Sequence, residues 1–376
     1  ARFYMTTWLN QDVEASFRLQ SINLWGMEGN NTLVTRYPSA DGGPWVENVY
    51  IHMPNFAWKK VNLTVGRQPI AYGDGLIVSD DELGFNAIRA QMDFFRSRLD
   101  VDMFTAKVTE GFGEDDFDLN GVMLGTNREH NRWELSWVQE QNNTAGAYVR
   151  PTTTVTANDV TREFYDLRLF GDLKDAYYKL ELALQRGNAD LATNESIRLK
   201  GMGQKLELGA QTDTARWGRF GVRAVYAVGS GDDAGTPSVD EAFRPTFARR
   251  WDGLQRTGYG THFGGTLSDA YAGATPFSPT ATGLPLGFSG IKTMGLGIFS
   301  TQGVLWTGSV DYYTFNSLTK PTGLNDLGTE IDASIIYRYT GFVTFKLGAA
   351  YFFPGEVYGH TASRVTRYTA ETHVHF

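Results

Sequence analysis

The chain contains no cysteine. That absence excludes disulfide scaffolds, thiolate metal sites and haem attachment through C-x-x-C-H, while saying little about compartment. No run of about 18 apolar residues occurs, so a membrane-spanning helix is excluded as well. The opening residues, "ARFYMTTWLN", lack a basic region followed by an apolar one, so either a signal peptide has been removed or none existed. Basic runs and zinc-knuckle spacings are missing, and a formal charge of -8 speaks against nucleic acid as a partner. Helical periodicity is nearly absent.

What is present is glycine (42 residues), aromatic side chains (14%) and a period-two alternation from residue 11 to the end. The mean hydropathy is that of a soluble protein. A strand that crosses a membrane, however, is apolar on one face only and averages to neutral. Strand candidates pair through short polar turns. Residues 48–57 pair with 60–72 and 84–95 with 98–108, and further hairpins turn at 127–131, 171–172, 212–215, 301–303 and 340–341. Between the hairpins lie longer segments rich in Gly, Asp, Asn, Ser and Pro, at 26–44, 73–83, 109–117, 143–161, 188–196, 230–288, 317–326 and 354–364.

Short and long connections alternate strictly. That predicts an all-β fold: one domain, residues 1–376, forming a transmembrane antiparallel up-and-down β-barrel with tight periplasmic turns and long extracellular loops. The hairpins, residues 11–25 and the closing stretch sum to about sixteen strands. Residues 1–10 are either a periplasmic lead-in or a further strand, which would raise the count to eighteen. The closing stretch "RYTAETHVHF", 367–376, alternates to its end. Its terminal Phe376 resembles the C-terminal signal of bacterial outer-membrane barrels, and the strand is expected to close against residues 11–25.

The alternation separates two faces. Tyr165/Leu167/Leu169, Tyr178/Leu180/Leu182/Leu184, Phe220/Val222/Ala224/Tyr226 and Val343/Phe345/Leu347 read as outward, with Trp133, Trp137, Tyr312, Tyr339 and Tyr351 near strand ends as girdle residues. The opposite phase carries charges, which are ruinous in a dry core and cheap against water. The candidate pore-lining residues are Arg18, Arg67, Arg89, Arg168, Lys179, Arg219, Arg223, Arg338, Lys346, Arg367, Asp166, Glu181 and Asp311. Arg67 shares the outward phase of Val61, Leu63 and Val65, so a bulge at Gly66 is expected to return it to the lumen. The bases either line a selectivity zone or pair with cross-strand acids such as Glu134, Asp166, Glu181 and Glu371.

The stretch "VNLTVGRQPIAYGDGLIVSDDELGFNAIRAQMDF", 61–94, resembles the alginate-export-type outer-membrane barrels in Gly66-Arg67-Gln68, in Ala71-Tyr72-Gly73-Asp74-Gly75 and in an inward Arg89. The long segment before the Met294 strand is similar to the loop that precedes the last strands in that group. The resemblance implies a porin fold in the bacterial outer membrane, surrounded by lipid and lipopolysaccharide. This chain departs from the group's G-D-x-R turn, because Leu76 stands where an arginine is expected. Its inward acids and bases are also in rough balance, whereas a conduit for a polyanion should be richly basic inside.

Segment 230–288 is long enough to be functional. Arg249, Arg250, Arg256 and Tyr259 are its constriction candidates, if it folds into the pore rather than forming an external flap or a partner surface. The acid clusters at 79–82 and 110–118 read as a solvated rim or as a site for a hard cation. His373 and His375 share the inward face beside Glu371. No catalytic group, metal or cofactor is expected. The expected function is a channel for small hydrophilic solutes, anionic or sugar-like. The alternative is a scaffold sheathing a partner protein or a polymer export machine, and a partner protein or an oligomer is compatible with either.

Overall fold

The structure is a computed structural model that describes residues 2–23, 41–57, 60–80, 83–95, 98–110, 115–126, 130–214, 218–249, 259–261, 284, 287–301, 305–319, 323–359 and 362–374. No helix among them is long and apolar enough to cross a membrane. The chain is built from antiparallel hairpins. β1 (Arg2–Asn10) and β2 (Val13–Asn23) form the first, and β3 (Asp41–Ala57) and β4 (Val61–Gln68) the second. A small ribbon follows, β5 (Ala71–Tyr72) with β6 (Val78–Ser79). Next come β7 (Phe85–Phe94), β8 (Leu99–Thr109), β9 (Phe117–Thr126) and β10 (Asn131–Asn142). The short β11 (Gly146–Val149) leads to the two longest neighbours, β12 (Thr154–Leu173) and β13 (Ala176–Leu191). After the short β14 (Ser196–Leu199) come β15 (Met202–Thr214) and β16 (Gly218–Gly229), then the short β17 (Val239–Asp240). The last five are β18 (Ser289–Thr301), β19 (Trp306–Thr319), β20 (Asp326–Arg338), β21 (Val343–Pro354) and β22 (Val365–Val374).

Leaving aside β5, β6, β11, β14 and β17, each wall strand is hydrogen-bonded to the next along the chain, from β1 to β22. The described residues thus contribute seventeen wall strands, between the sixteen and the eighteen that the hairpin arithmetic allowed. Residues 2–10, read as a lead-in or a strand, are β1, and they pair with β2 from Arg2↔Gln20 to Asn10↔Val13. The other edge of β2 is taken by β3. The last strand therefore does not close against residues 11–25 as expected, because that stretch has no free edge; β22 pairs with β21. His375 and Phe376 lie outside the described residues. At the end of β4 the wall also stops earlier than the alternation suggested. Pro69 cannot donate to a ladder, and residues 69–80 leave the wall.

The outward phase stands exposed and apolar: Val222, Leu296, Ile335 and Leu347 are all more than half exposed. Trp306 stacks on Tyr337 at 4.3 Å near the turn end of β19 and β20, as a girdle requires. Trp137 and Tyr312, expected there too, fall midway along β10 and β19 instead. The core is inside the wall. Inward residues of β7, β8, β9, β10, β12, β13 and β16 converge on one cluster with Ile70, Tyr72, Ile77 and Val78 from one loop and Phe243 and Phe247 from another. Seven wall strands that meet the same two inserted segments are curled around them. A second cluster gathers Leu284 and Phe288 with Ile291, Tyr313, Phe315, Leu327 and Phe352 of β18–β21.

Candidate functional site

The first inserted segment, residues 69–80, is positioned by its own wall. The Tyr72 hydroxyl donates to the Asp102 main-chain oxygen at 3.2 Å, and Arg89 binds the Asp102 carboxylate at 2.5–3.1 Å. The segment then turns at Gly73-Asp74-Gly75. Gly73 has φ +59, and a Cβ there would collide with the Glu181 carboxylate, so only glycine suits the position. The turn presents Asp74 to β12 and β15, where its carboxylate accepts hydrogen bonds from Arg168 and from Lys205 Nζ, the latter at 2.6 Å. The Asp74 N–H donates to both Glu181 oxygens at 3.3 Å, and Arg168 reaches Glu134 at 3.0 Å. Burial alone would push the Asp74 carboxyl up, yet Lys205 and Arg168, with Lys179 further off, hold it below its ordinary range.

The second segment, 241–249, crosses beside the first. Phe247 forms a parallel bridge with Val78, and the Ser79 and Arg249 N–H groups donate to Phe247 and Gly75 oxygens at 2.6 and 2.7 Å. Thr246 donates from its N–H (2.9 Å) and hydroxyl (2.6 Å) to Glu140, a fully buried carboxylate that also faces Arg162 at 3.3 Å. Position 76 lacks the arginine of the family turn, but Arg249 brings its side chain against Gly75 from the other loop. Further on, Tyr259 lies under the Lys205 ammonium at 6.0 Å from its ring centroid. Thr261 donates from its N–H to Glu330 at 2.5 Å and from its hydroxyl to Asp332 at 3.1 Å. Segment 230–288 is therefore inserted into the lumen wherever it is described between 241 and 261.

Beyond Thr261 the lumen opens into a cavity of about 320 Å³ on the β16 and β19–β22 side. Its charged lining is Arg223, Lys346 and Arg367 against Asp311, Asp332 and Glu371. Arg223 makes a bidentate pair with Asp311 at 2.8 and 2.7 Å, while Lys346 is 3.7 Å from Glu371. Basic and acidic side chains line it in equal number, so it is not a one-signed funnel.

The structure brings Arg89, Arg168, Glu181, Arg249 and Tyr259 to the inserted segments, and Arg223, Asp311, Lys346 and Arg367 to the cavity. Lys179 faces Glu207 at 3.5 Å, and Arg18 pairs with Glu47 at 2.7 Å under the Tyr4 ring. Arg219 pairs with an exposed Asp213 at the turn end of β15 and β16, and Arg338 ends β20 near the same rim. Asp166 is buried with neither oxygen hydrogen-bonded, so it does not pair with a base as expected. Arg67 is a correction. The register runs through Ile51↔Val65, Tyr50↔Gly66 and Val49↔Arg67 without a shift, so no bulge turns Arg67 inward. Gly66 absorbs the local twist with φ +122, and Arg67 keeps the outward phase at the loop end of β4. Arg250 and Arg256 lie outside the described residues, as do parts of both acid clusters (81–82 and 111–114). Asp116 and Asp118 share Lys107 at 2.7 and 2.9 Å.

Sequence reasoning missed Asp74 as a latch, Glu140 as its counterpart under Thr246, and Thr261 as the contact that divides the lumen. Two glycines flanking an acid at 73–75 carried a signal for the first. The other two depend on partners more than 60 residues away, and nothing local marks them.

Comparison with known proteins places this geometry. A family model described as alginate export matches residues 45–261. No curated protein sequence matches the chain. The crystal structure of Pseudomonas aeruginosa OccK9 (OpdG) aligns with TM-score 0.54 at 12% identity, covering 99% of this chain and 90% of that one. OccK8 (OprE) from the same organism aligns at 0.53 and 10%, covering 96% and 86%. OccK11 (OpdR), also from Pseudomonas aeruginosa, aligns at 0.52 and 11%, covering 100% and 89%. At these identities the likeness is one of fold.

Proposed function

The chain belongs to the alginate export family and is a β-barrel channel of the bacterial outer membrane; from that premise, we propose that it passes small hydrophilic solutes by passive diffusion, restricted by size and by lumenal charge. No chemical step is part of this proposal. One observation carries it: segment 259–261 is bonded to Glu330 and Asp332 on β20 and leaves beside it a water-accessible cavity of about 320 Å³ with cations and acids in equal number. That volume lies at the lower end of small-molecule sites, about 300–1,000 Å³. Alginate is a polyanion, and a wall with as many acids as bases repels it as much as it attracts it. A sheath around a partner protein would need an unobstructed bore, and the two inserted segments occupy it. The membrane outside supplies lipid and lipopolysaccharide to the apolar face.

The test is reconstitution of the purified protein in planar bilayers and liposomes. The expected result is a KCl conductance with weak ion selectivity, and liposome swelling with hexoses that falls off steeply for trisaccharides. Swelling that is independent of solute size, or a strong anion selectivity, would overturn this reading.

A further inference from the structure

The outer face of the wall carries a group of bases that the lumen does not use. Towards the loop end of β13, Leu184, Arg186 and Asn188 share the outward phase and are all exposed. On the neighbouring chain, Met202 of β15 is continued towards the loops by Lys200 and by Arg198 of β14, both exposed. The register does not slip between β15 and β14. Leu184 faces Met202, the Gln185 N–H donates to the Gly201 oxygen at 2.8 Å, and Gly187 faces Leu199. Arg186 therefore stands opposite Lys200, and Arg198 follows one step further out on the same face, opposite Asn188.

The inner side of β14 turns these bases outward. Ile197 and Leu199 are buried, 5% and 1% exposed, in the cluster with Tyr148, Ala189 and Leu191. With those two held inside, alternation leaves Arg198 and Lys200 only the outer face. The backbone beneath them is fixed by β17, since the Arg198 and Lys200 N–H groups donate to the Ser238 and Asp240 oxygens at 3.0 and 2.8 Å.

Like charges directly opposite each other on antiparallel strands are destabilising, and no acid of the protein offsets these. Among the described residues none of the three bases has an ion pair, and Arg186 bonds only to the Gln185 main-chain oxygen at 2.8 Å. Glu163, opposite Arg186 on β12, accepts instead from the Tyr165 hydroxyl at 2.9 Å. Asp159 and Asp190 face one another further out. Lys107, an outward base at the loop end of β8, shows the contrast, because Asp116 and Asp118 hold it at 2.7 and 2.9 Å. Spacings of about 5 Å across the strands and about 7 Å along them let the three free bases converge on one anion.

Height on the wall decides which anion. Leu184 and Met202, 44% and 37% exposed, stand immediately below the bases on the same face, level with the exposed Tyr165. Apolar side chains, an aromatic hydroxyl and then free bases mark the border between hydrocarbon and headgroups. We infer that Arg186, Arg198 and Lys200 form a binding site for a phosphate of lipopolysaccharide, whose acyl chains lie along Leu184 and Met202. The inference uses the place of the barrel in the outer membrane and is independent of what the lumen passes.

The test is native mass spectrometry of protein refolded in a non-ionic detergent without lipopolysaccharide. It is titrated with bisphosphorylated lipid A, with the dephosphorylated form and with phosphatidylglycerol. A saturable site for the bisphosphorylated lipid, tighter than for either of the others, is expected. Replacing all three bases (Arg186→Gln, Arg198→Gln and Lys200→Gln together) should weaken it about a hundredfold, and Lys200→Gln alone about fivefold. Lys107→Gln should leave it unchanged. All the replaced side chains lie outside the clusters that hold the wall, so the heat-modifiable gel mobility of the variants should match that of the natural protein. Absence of binding, equal binding of the dephosphorylated form, or an affinity undiminished by Lys200→Gln and by the triple exchange overturns the site. Phosphatidylglycerol bound as tightly as lipid A overturns the assignment to lipopolysaccharide.

Discussion

Between β7 and β16 the inner wall meets other protein; along β19–β22 it meets an open cavity. Both stretches obey the same alternation, and both carry inward charges. They differ in what covers those charges. In the filled half, Asp74, Arg168, Lys205, Glu134 and Glu181 are held together by a turn that descends from the loop end. In the open half, Arg223 reaches Asp311 across Gly297 of β18, Lys346–Glu371 bridges β21 and β22, and Arg367 faces the cavity. An inward charge in this wall therefore either anchors a plug or lines a path, and its strand position alone does not tell which.

Breaking the filled half should have the largest consequence. Glu140→Ala removes the acceptor of both Thr246 bonds and leaves the half-buried Arg162 without its acid. Removing one partner of a buried pair costs about 3–5 kcal/mol. We expect a clear fall in the temperature at which the folded band is lost on a semi-native gel, together with a larger conductance once segment 241–249 is released. Gly73→Val should come next, since it forces a β-branched residue into φ +59 against Glu181. Strain of that kind costs about 1–3 kcal/mol, and frequent openings to a higher conductance level in single-channel records are the expected sign.

Acidity separates the halves more gently. Because the Asp74 carboxyl is held low by Lys205 and Arg168 against the cost of burial, its contribution is complete above its ordinary value of 3.8. It is lost only as the pH falls through the lower folded value. Conductance should accordingly show no step attributable to Asp74 between pH 8 and pH 4 (roughly, by the same linkage), and Asp74→Asn should already show the opened level at neutral pH. The smallest effect belongs to the open half. Asp311→Asn unbalances the cavity lining toward positive charge without touching a plug. About 1 kcal/mol between unit charges 4 Å apart in water corresponds to roughly a fivefold gain in anion over cation permeability. A reversal-potential measurement across a KCl gradient checks it; a shift toward cations would show that Asp311 does not face the path.

The alternation made the wall legible in advance. Tyr165, Leu167, Leu184, Phe220, Val222, Ile335 and Leu347 stand exposed on the expected face, and the short and long connections fall where the turn residues put them. Two of the local readings that went wrong did so for reasons visible at the backbone. Gly66 suggested a bulge, but glycine also permits φ +122 within an unbroken ladder, so Arg67 stayed outward. Residues 11–25 were expected to receive the last strand, but β1 covers that edge.

Period-two chemistry acts between a residue and its immediate surroundings, so the sequence by itself determined that this chain forms a wall with an apolar and a polar side. Which inward charges are covered was decided only in three dimensions. Asp74 meets Lys205, Glu140 meets Thr246 and Glu330 meets Thr261 across separations that no local pattern encodes. Those contacts exist because the curled sheet brings distant strands around the same two inserted segments, and they set how much of the lumen remains open.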